Sequence, residues 1–238
     1  MKKNLISCLN GLFAGILIAI AGIANFGMIK LFANSSMPGL GKALGSVVFA
    51  FGLIFVCFLG TNLYTGKIGF VFEGNKKEKV IECIIALVFN IIGALIVSLF
   101  FVLFDGTDGE LVTLVNNCVT GKLNIYDSGS GWYKTLFSSI FCGIMIYLAV
   151  FFFKKYDNPF LRIVGIIFPI IIFVSCGFDH CIANVFYFGT SLFTNKFTPE
   201  ILMLLLINIV GNSIGSLLIY AITKPISALS ISKTEEKQ

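Results

Sequence analysis

Charged residues are spaced so widely along most of this chain that it resolves into long apolar stretches joined by short polar ones. Between successive charges lie Asn4 to Ile29, Ala43 to Gly66, Cys83 to Phe104, Thr135 to Phe153, Ile163 to Phe178 and Ile201 to Thr223. Most come close to the roughly 20 residues that a bilayer-spanning helix needs. A soluble fold made from six such stretches would have no amphipathic helices left to surround its core. The pattern therefore predicts an all-α membrane protein with six transmembrane helices.

Two of the stretches are too long for a simple crossing. From Ile163 to Asn195 the only ionisable residues are Asp179 and His180, and one straight helix of that length would reach roughly 50 Å, against a hydrocarbon core of about 30 Å. Gly177, beside the two ionisable residues, is the natural place for a break. Residues Ala43 to Phe72, interrupted only by Lys67, pose the same problem in the first half, with Asn62 to Lys67 as the polar interruption. Non-helical backbone at membrane depth is tolerated only where protein buries it or where it lines a watery cavity. Two breaks in corresponding positions point to a transport site.

The halves echo one another again downstream of each break, in Asn90-Ile91-Ile92-Gly93 and Asn212-Ser213-Ile214-Gly215. Three crossings per half is an odd number, so the second copy enters the membrane from the opposite face. The expected organisation is a single transmembrane domain over residues 1–238. A first three-helix repeat (1–104) leads through an extracytoplasmic connecting loop (105–130) to a second repeat (131–223) and a tail (224–238). The loop carries Asp105, Asp108, Glu110 and Asp127 against Lys122, together with glycine-rich turn sequences.

Composition agrees with a lipid solvent. Hydrophobic residues make up 57% of the 238 and charged residues 12%, against about 25% charged in ordinary soluble domains. The net charge of +5 does not indicate nucleic acid, because the basic residues sit in short segments between apolar stretches. Lys2 and Lys3, then Lys76, Lys77 and Lys79, then Lys154, Lys155 and Arg162, then Lys224, Lys233 and Lys237 form groups on alternate connections. The positive-inside rule puts those groups, and both termini, in the cytoplasm of a cell whose inner membrane holds the protein. The apolar run after Lys2 and Lys3 continues to Ile29, too long for the core of a cleaved signal, and is read as a first crossing. Seven scattered cysteines without CxxC spacing read as small apolar packing residues, not as a disulfide or metal framework. No metal or other cofactor is expected, and no nucleotide-binding glycine loop is present.

His180 is the only histidine. An ionisable residue inside an apolar segment is costly and commonly faces the bundle interior, where it marks an ion or proton path. A neutral imidazole donates one hydrogen bond, accepts another, and exchanges a proton near physiological pH. The competing reading is a structural histidine satisfied by backbone groups. Asp179 either orients the ring or helps hold the break. Thr65, in the other break, offers a hydroxyl to an anion or to the imidazole.

Leu63-Tyr64-Thr65-Gly66, Gly177-Phe178-Asp179-His180-Cys181-Ile182-Ala183-Asn184, Leu148-Ala149-Val150 and the paired N-x-x-G sequences together resemble the formate/nitrite transporter family over nearly the whole chain. The resemblance implies an aquaporin-like protomer with an inverted 3+3 repeat and broken second and fifth helices. Five protomers would surround an axis, each with its own pore. It carries the central pore histidine onto His180, the hydroxyl partner onto Thr65 and the conserved asparagine onto Asn184. The constrictions fall on Leu63, Phe173 and Phe49. Asp179 stands where the family has glutamate. Lys67 stands where a small or polar residue is usual, and either draws anions to one mouth or snorkels to the interface. Lys134, at the outer start of the fourth crossing, is the other candidate for a vestibule lysine.

The function implied is passage of a small monovalent weak-acid anion, such as formate, nitrite or hydrosulfide, with protons exchanged at His180 and lipid as the surrounding partner. A proton symporter for lactate or another short carboxylate on the same fold is the alternative. An intramembrane enzyme using His180 and Cys181 is disfavoured, because adjacent residues seldom bring their side chains together and no orienting group is visible.

Overall fold

The computed structural model describes the backbone of residues 2–235 and the side chains of residues 4–226. Among the described residues the chain is all-helical. Its elements are α1 (Lys2–Phe32), α2 (Pro38–Phe58), α3 (Tyr64–Ile68), α4 (Lys76–Asp105), α5 (Glu110–Asp127), α6 (Gly131–Lys155), α7 (Pro159–Ser175), α8 (Cys181–Phe193) and α9 (Glu200–Glu235). Five of them are long and apolar enough to cross a bilayer: α1, α2, α4, α6 and α9. Helices α7 and α8 are apolar but short.

Local sequence explains several helix boundaries. Asn158 accepts hydrogen bonds from the backbone N–H groups of Phe160 and Leu161 at 2.9 and 3.2 Å, with Pro159 in the first turn of α7. Such a residue satisfies otherwise orphaned donors, and proline has no donor to lose there. Pro38 likewise opens α2, there without a side-chain cap from Met37.

The structure adds detail in two places. The connection over residues 105–130 is largely helical. Its amphipathic middle, Glu110–Asp127, is an 18-residue helix that buries Val112, Val115, Asn116 and Val119. The segment after Thr223 does not leave α9, which runs through Pro225 to Glu235. Lys237 lies outside the described residues, as do the side chains of Lys2, Lys3 and Lys233.

The outer surface along the long helices is apolar, and the interior, also mainly apolar, holds a set of buried polar side chains. On α4, Phe100, Leu103 and Phe104 are exposed, whereas Asn90 and Ser98 are fully buried. On α9, Leu202, Leu206, Val210 and Leu218 face outward, whereas Asn208, Asn212 and Ser216 are buried. Lipid offers no hydrogen bonds, so polar side chains turn inward and find partners in neighbouring helices.

Helix α1 packs on α4, and α6 packs on α9. A methyl group added at Gly15 would overlap the Asn90 carbonyl, and one added at Gly93 would overlap the Leu12 carbonyl. The second pair repeats this, Gly143 against the Asn212 carbonyl and Gly215 against the Ile140 carbonyl. The glycine of each N-x-x-G sequence thus lets two backbones approach closely.

Both over-long stretches are broken. Gly60 and Gly177 adopt φ of +65° and +70°, a conformation open to glycine but strained for other residues. Three residues after each, Leu63 and His180 are extended, with φ, ψ of −87°, 126° and −93°, 117°. Helices α3 and α8 start immediately afterwards. The first break therefore centres on Gly60 to Leu63, slightly earlier than the Asn62–Lys67 interruption, and Thr65 and Lys67 lie on α3.

Candidate functional site

The asparagines of the N-x-x-G pairs hold the breaks open. Asn90 Oδ1 accepts from the Tyr64 N–H at 2.8 Å, while its Nδ2 donates to the carbonyls of Asn62 and Gly11 at 2.9 and 2.7 Å. Asn212 Oδ1 accepts from the Cys181 N–H at 2.8 Å, while its Nδ2 donates to the carbonyls of Asp179 and Ser139, each at 2.8 Å. Each amide gives one acceptor and one donor to the backbone of a break and its second donor to a carbonyl of a neighbouring helix, Gly11 in α1 or Ser139 in α6, so both of its polar atoms are satisfied.

The two breaks bring Thr65 and His180 together. Thr65 Oγ1 and His180 Nε2 are 2.9 Å apart, and their residues are 1% and 2% exposed. His180 also caps α8, its Nδ1 accepting from the Ala183 N–H at 3.1 Å. A nitrogen that accepts from a backbone N–H carries no proton of its own, so the neutral ring is protonated on Nε2 and donates to Thr65 Oγ1. The Thr65 hydroxyl proton is then directed elsewhere.

Asp179 does not orient this ring. Its carboxylate pairs with Lys122 on α5, and accepts from Ser138 Oγ at 2.8 Å and from Asn184 Nδ2 at 3.0 Å. Asn184 also donates to Asn208 Oδ1 at 2.6 Å, and Asn208 donates to Ser139 Oγ at 3.0 Å. Asn184 therefore belongs to a polar network behind the break, not to the Thr65–His180 contact. Burial disfavours the Lys122 ammonium, but neighbouring Asp179 outweighs it, and the lysine pKa lies above its ordinary value. Neutralising the carboxylate with Asp179→Asn should lower stability by about 2 kcal/mol. That is less than the roughly 3 to 5 of a wholly buried pair, because Lys122 keeps 18% of its side chain accessible. Thermal unfolding in detergent reads the change, and pairing Asp179→Asn with Lys122→Met should recover part of it.

Two cavities with no lining residue in common approach the site. One, of about 330 Å³, is lined by Leu63, Gly66, Lys67, Lys79, Glu82 and Lys154 among others. The other, of about 530 Å³, is lined by Phe49, Phe173, His180, Asn184, Lys42 and Lys122 among others. Phe49 and Phe173 meet edge to face with centroids 5.6 Å apart, and the Phe173 centroid lies 5.9 Å from that of His180. Leu63, Thr65, Phe49, Phe173 and His180 are all buried. Among these five side chains the only polar groups are one hydroxyl and one imidazole.

The two candidate vestibule lysines line separate cavities. Lys67 lies in the wall of the first cavity, in an ion pair with Glu82 at 3.2 Å. Lys134 is exposed and lines a third cavity, which Lys122, Ser138 and Asp179 also border. The lysine that reaches the break is Lys122. The signal for it was Asp179 itself, since a carboxylate in an apolar stretch needs a cation and Lys122 is the one basic residue in the acidic connecting segment.

Closed helical breaks facing each other across a buried hydroxyl–imidazole contact, under an apolar outer surface, define a multi-pass membrane transport protein. A family model described as "Formate/nitrite transporter" matches residues 2–225, and the chain belongs to that family, whose members are transporters and not enzymes. It is 32% identical over 203 residues to the uncharacterized transporter YrhG of Bacillus subtilis (strain 168), covering 77% of this chain and 72% of that protein. It is 27% identical over 225 residues to a probable formate transporter of Methanothermobacter thermautotrophicus, covering 84% and 82%. Its fold matches a solved structure titled "Pentameric formate channel with formate bound", with a TM-score of 0.76 and 21% identity over 97% of this chain and 98% of that one.

Proposed function

We propose that this protein conducts a small monovalent weak-acid anion through a pore within each protomer, with formate the leading candidate and nitrite and hydrosulfide of the same class. The observation that carries the reading is the Thr65–His180 hydrogen bond, which joins the two broken segments between two separate cavities. Leu63 on one side, and Phe49 with Phe173 on the other, act as constrictions. Burying a full charge at a helix centre costs about 2.5 to 3.5 kcal/mol even on modest scales. The anion therefore crosses these zones with its charge shared through a hydrogen bond from the Thr65 hydroxyl, joined by the imidazole once its Nε2–H turns from Thr65 to the anion, or as its conjugate acid.

Proton exchange at His180 itself needs a second proton on Nδ1, where the Ala183 N–H already points. The geometry favours a fixed neutral donor, with the conjugate acid formed from vestibule water. The architecture we infer is six crossings in an inverted 3+3 repeat. In it, α2–α3 and α7–α8 are the broken second and fifth helices, and α5 caps the outer side. Matching asparagine clamps and glycine contacts in the two halves support it. The Lys79- and Lys154-lined cavity then opens to the cytoplasm, with both termini on that side of the inner membrane. The formate-channel structure of the same fold, whose title calls it pentameric, supports a homopentamer.

Stopped-flow uptake into liposomes tests the function. Formate, nitrite and hydrosulfide should enter faster than in protein-free vesicles, and faster as external pH falls. Lactate entering as readily as formate would shift the reading to a short-carboxylate proton symporter. No acceleration for any of these anions would refute the proposal.

A further inference from the structure

The cavity on the Leu63 side carries three lysines, Lys67, Lys79 and Lys154, against one carboxylate, Glu82. Glu82 Oε2 accepts from Lys67 Nζ at 3.2 Å and from Lys79 Nζ at 3.5 Å. The carboxylate is not sealed in, since 23% of its side chain stays accessible. Lys154 is held differently, with Nζ 3.4 Å from the centre of the Phe70 ring. An aromatic face orients an ammonium group without cancelling its charge. The mouth is therefore positive on balance, and apolar walls focus such a field onto the opening. Lys67 follows Thr65 by two residues on α3, so the field lies immediately before the Leu63 constriction.

We propose that Glu82 is a resident ligand of this mouth: its carboxylate occupies Lys67 and Lys79 in competition with the passing anion and so sets how strongly the mouth collects small monovalent anions. The two lysines already hold one carboxylate, so a free carboxylate or an anion of similar size can replace it. Removing the resident charge should strengthen capture, and removing Lys67 or Lys154 should weaken it. The identity of the cargo rests on the transport reading above, but the charge of the mouth is measurable without transport.

Cys57 lines the same cavity and is half-buried, so it reports the field. In nanodisc-embedded protein retaining Cys57 as its one cysteine, the rates of modification by sulfonate-bearing and trimethylammonium-bearing methanethiosulfonates are compared. Thr61→Cys, on the same wall and in a Cys57→Ser background, serves as a second reporter. The anionic-to-cationic rate ratio, normalised to a free thiol, should favour the anion. Glu82→Gln should raise it by about tenfold at low salt, the size expected for one charge removed at about 7 Å in a watery mouth. Lys67→Gln and Lys154→Gln should lower it, and all the differences should shrink near about 1 M salt. Sodium formate should protect the reporter from the anionic reagent, at lower concentration in Glu82→Gln. A ratio unmoved by Glu82→Gln and by Lys67→Gln at both reporters overturns the proposal, as does formate protection unaffected by Glu82→Gln. A shifted ratio with the expected protection, in a protein that transports no anion in liposomes, supports this assignment and counts against the transport reading alone.

Discussion

Replacing Asn212 with leucine should lower stability by about 2 to 6 kcal/mol. The Cys181 N–H and the Asp179 carbonyl lose their partner, and each buried group left unpaired costs about 1 to 3 kcal/mol; the Ser139 carbonyl, inside α6, keeps its helical bond. Water cannot substitute readily, because Asn212 is fully buried. The change reads out as a lower unfolding midpoint in detergent and loss of protection at the α8 N-terminus in hydrogen exchange. Asn90→Leu should cost a similar amount, since Asn90 does the same for Asn62, Gly11 and Tyr64. A large loss at Asn212 with none at Asn90 would break the equivalence of the two halves.

Transport should fall by about 10- to 100-fold when His180 is replaced by leucine. The substitution removes the Nε2–H donor from the site, and a hydrogen bond to a charged group is worth about 1.5 to 3 kcal/mol. It also uncaps α8 at Ala183, so the loss combines two effects. His180→Asn separates them, because asparagine is a good helix cap and lacks the reach of the imidazole. If the ring is a fixed donor, His180→Asn should lose rate in liposome uptake but keep the wild-type pH dependence. A pH dependence that disappears in His180→Asn would instead make the ring a proton carrier.

The position of the site could be read from the sequence because lipid leaves few places for polar groups. Lengths incompatible with one crossing located both breaks, and a lone histidine with a threonine in the other break identified the pair that the structure joins at 2.9 Å. The N-x-x-G pairs are legible as an echo between the two halves. Their function as backbone clamps depends on which carbonyls face them, which spacing alone does not reveal. For Asp179 the sequence leaves two readings, orienting the ring or holding the break, and the structure turns its carboxylate to Lys122 on α5. Helix α5 itself was hidden by the glycine-rich turns at its ends and by mixed polarity, since its one buried stripe is narrow. Lys122 was hidden with it.

The clamp at Asn212 has a consequence for how the chain is assembled. Helix α8 has 13 residues, about 20 Å of helix, too short to lodge across a core of about 30 Å. Its first N–H groups are answered by its own His180 and by Asn212, which lies about a third of the way along α9. During synthesis α8 therefore reaches the membrane before the residue that makes its position tenable. The second half settles only once α9 has emerged, as the first half waits for α4 to deliver Asn90. Biogenesis of each half is thus gated by its last helix. A nascent chain arrested before residue 200 should hold α8 in a protease- and thiol-accessible state that vanishes once α9 has left the ribosome.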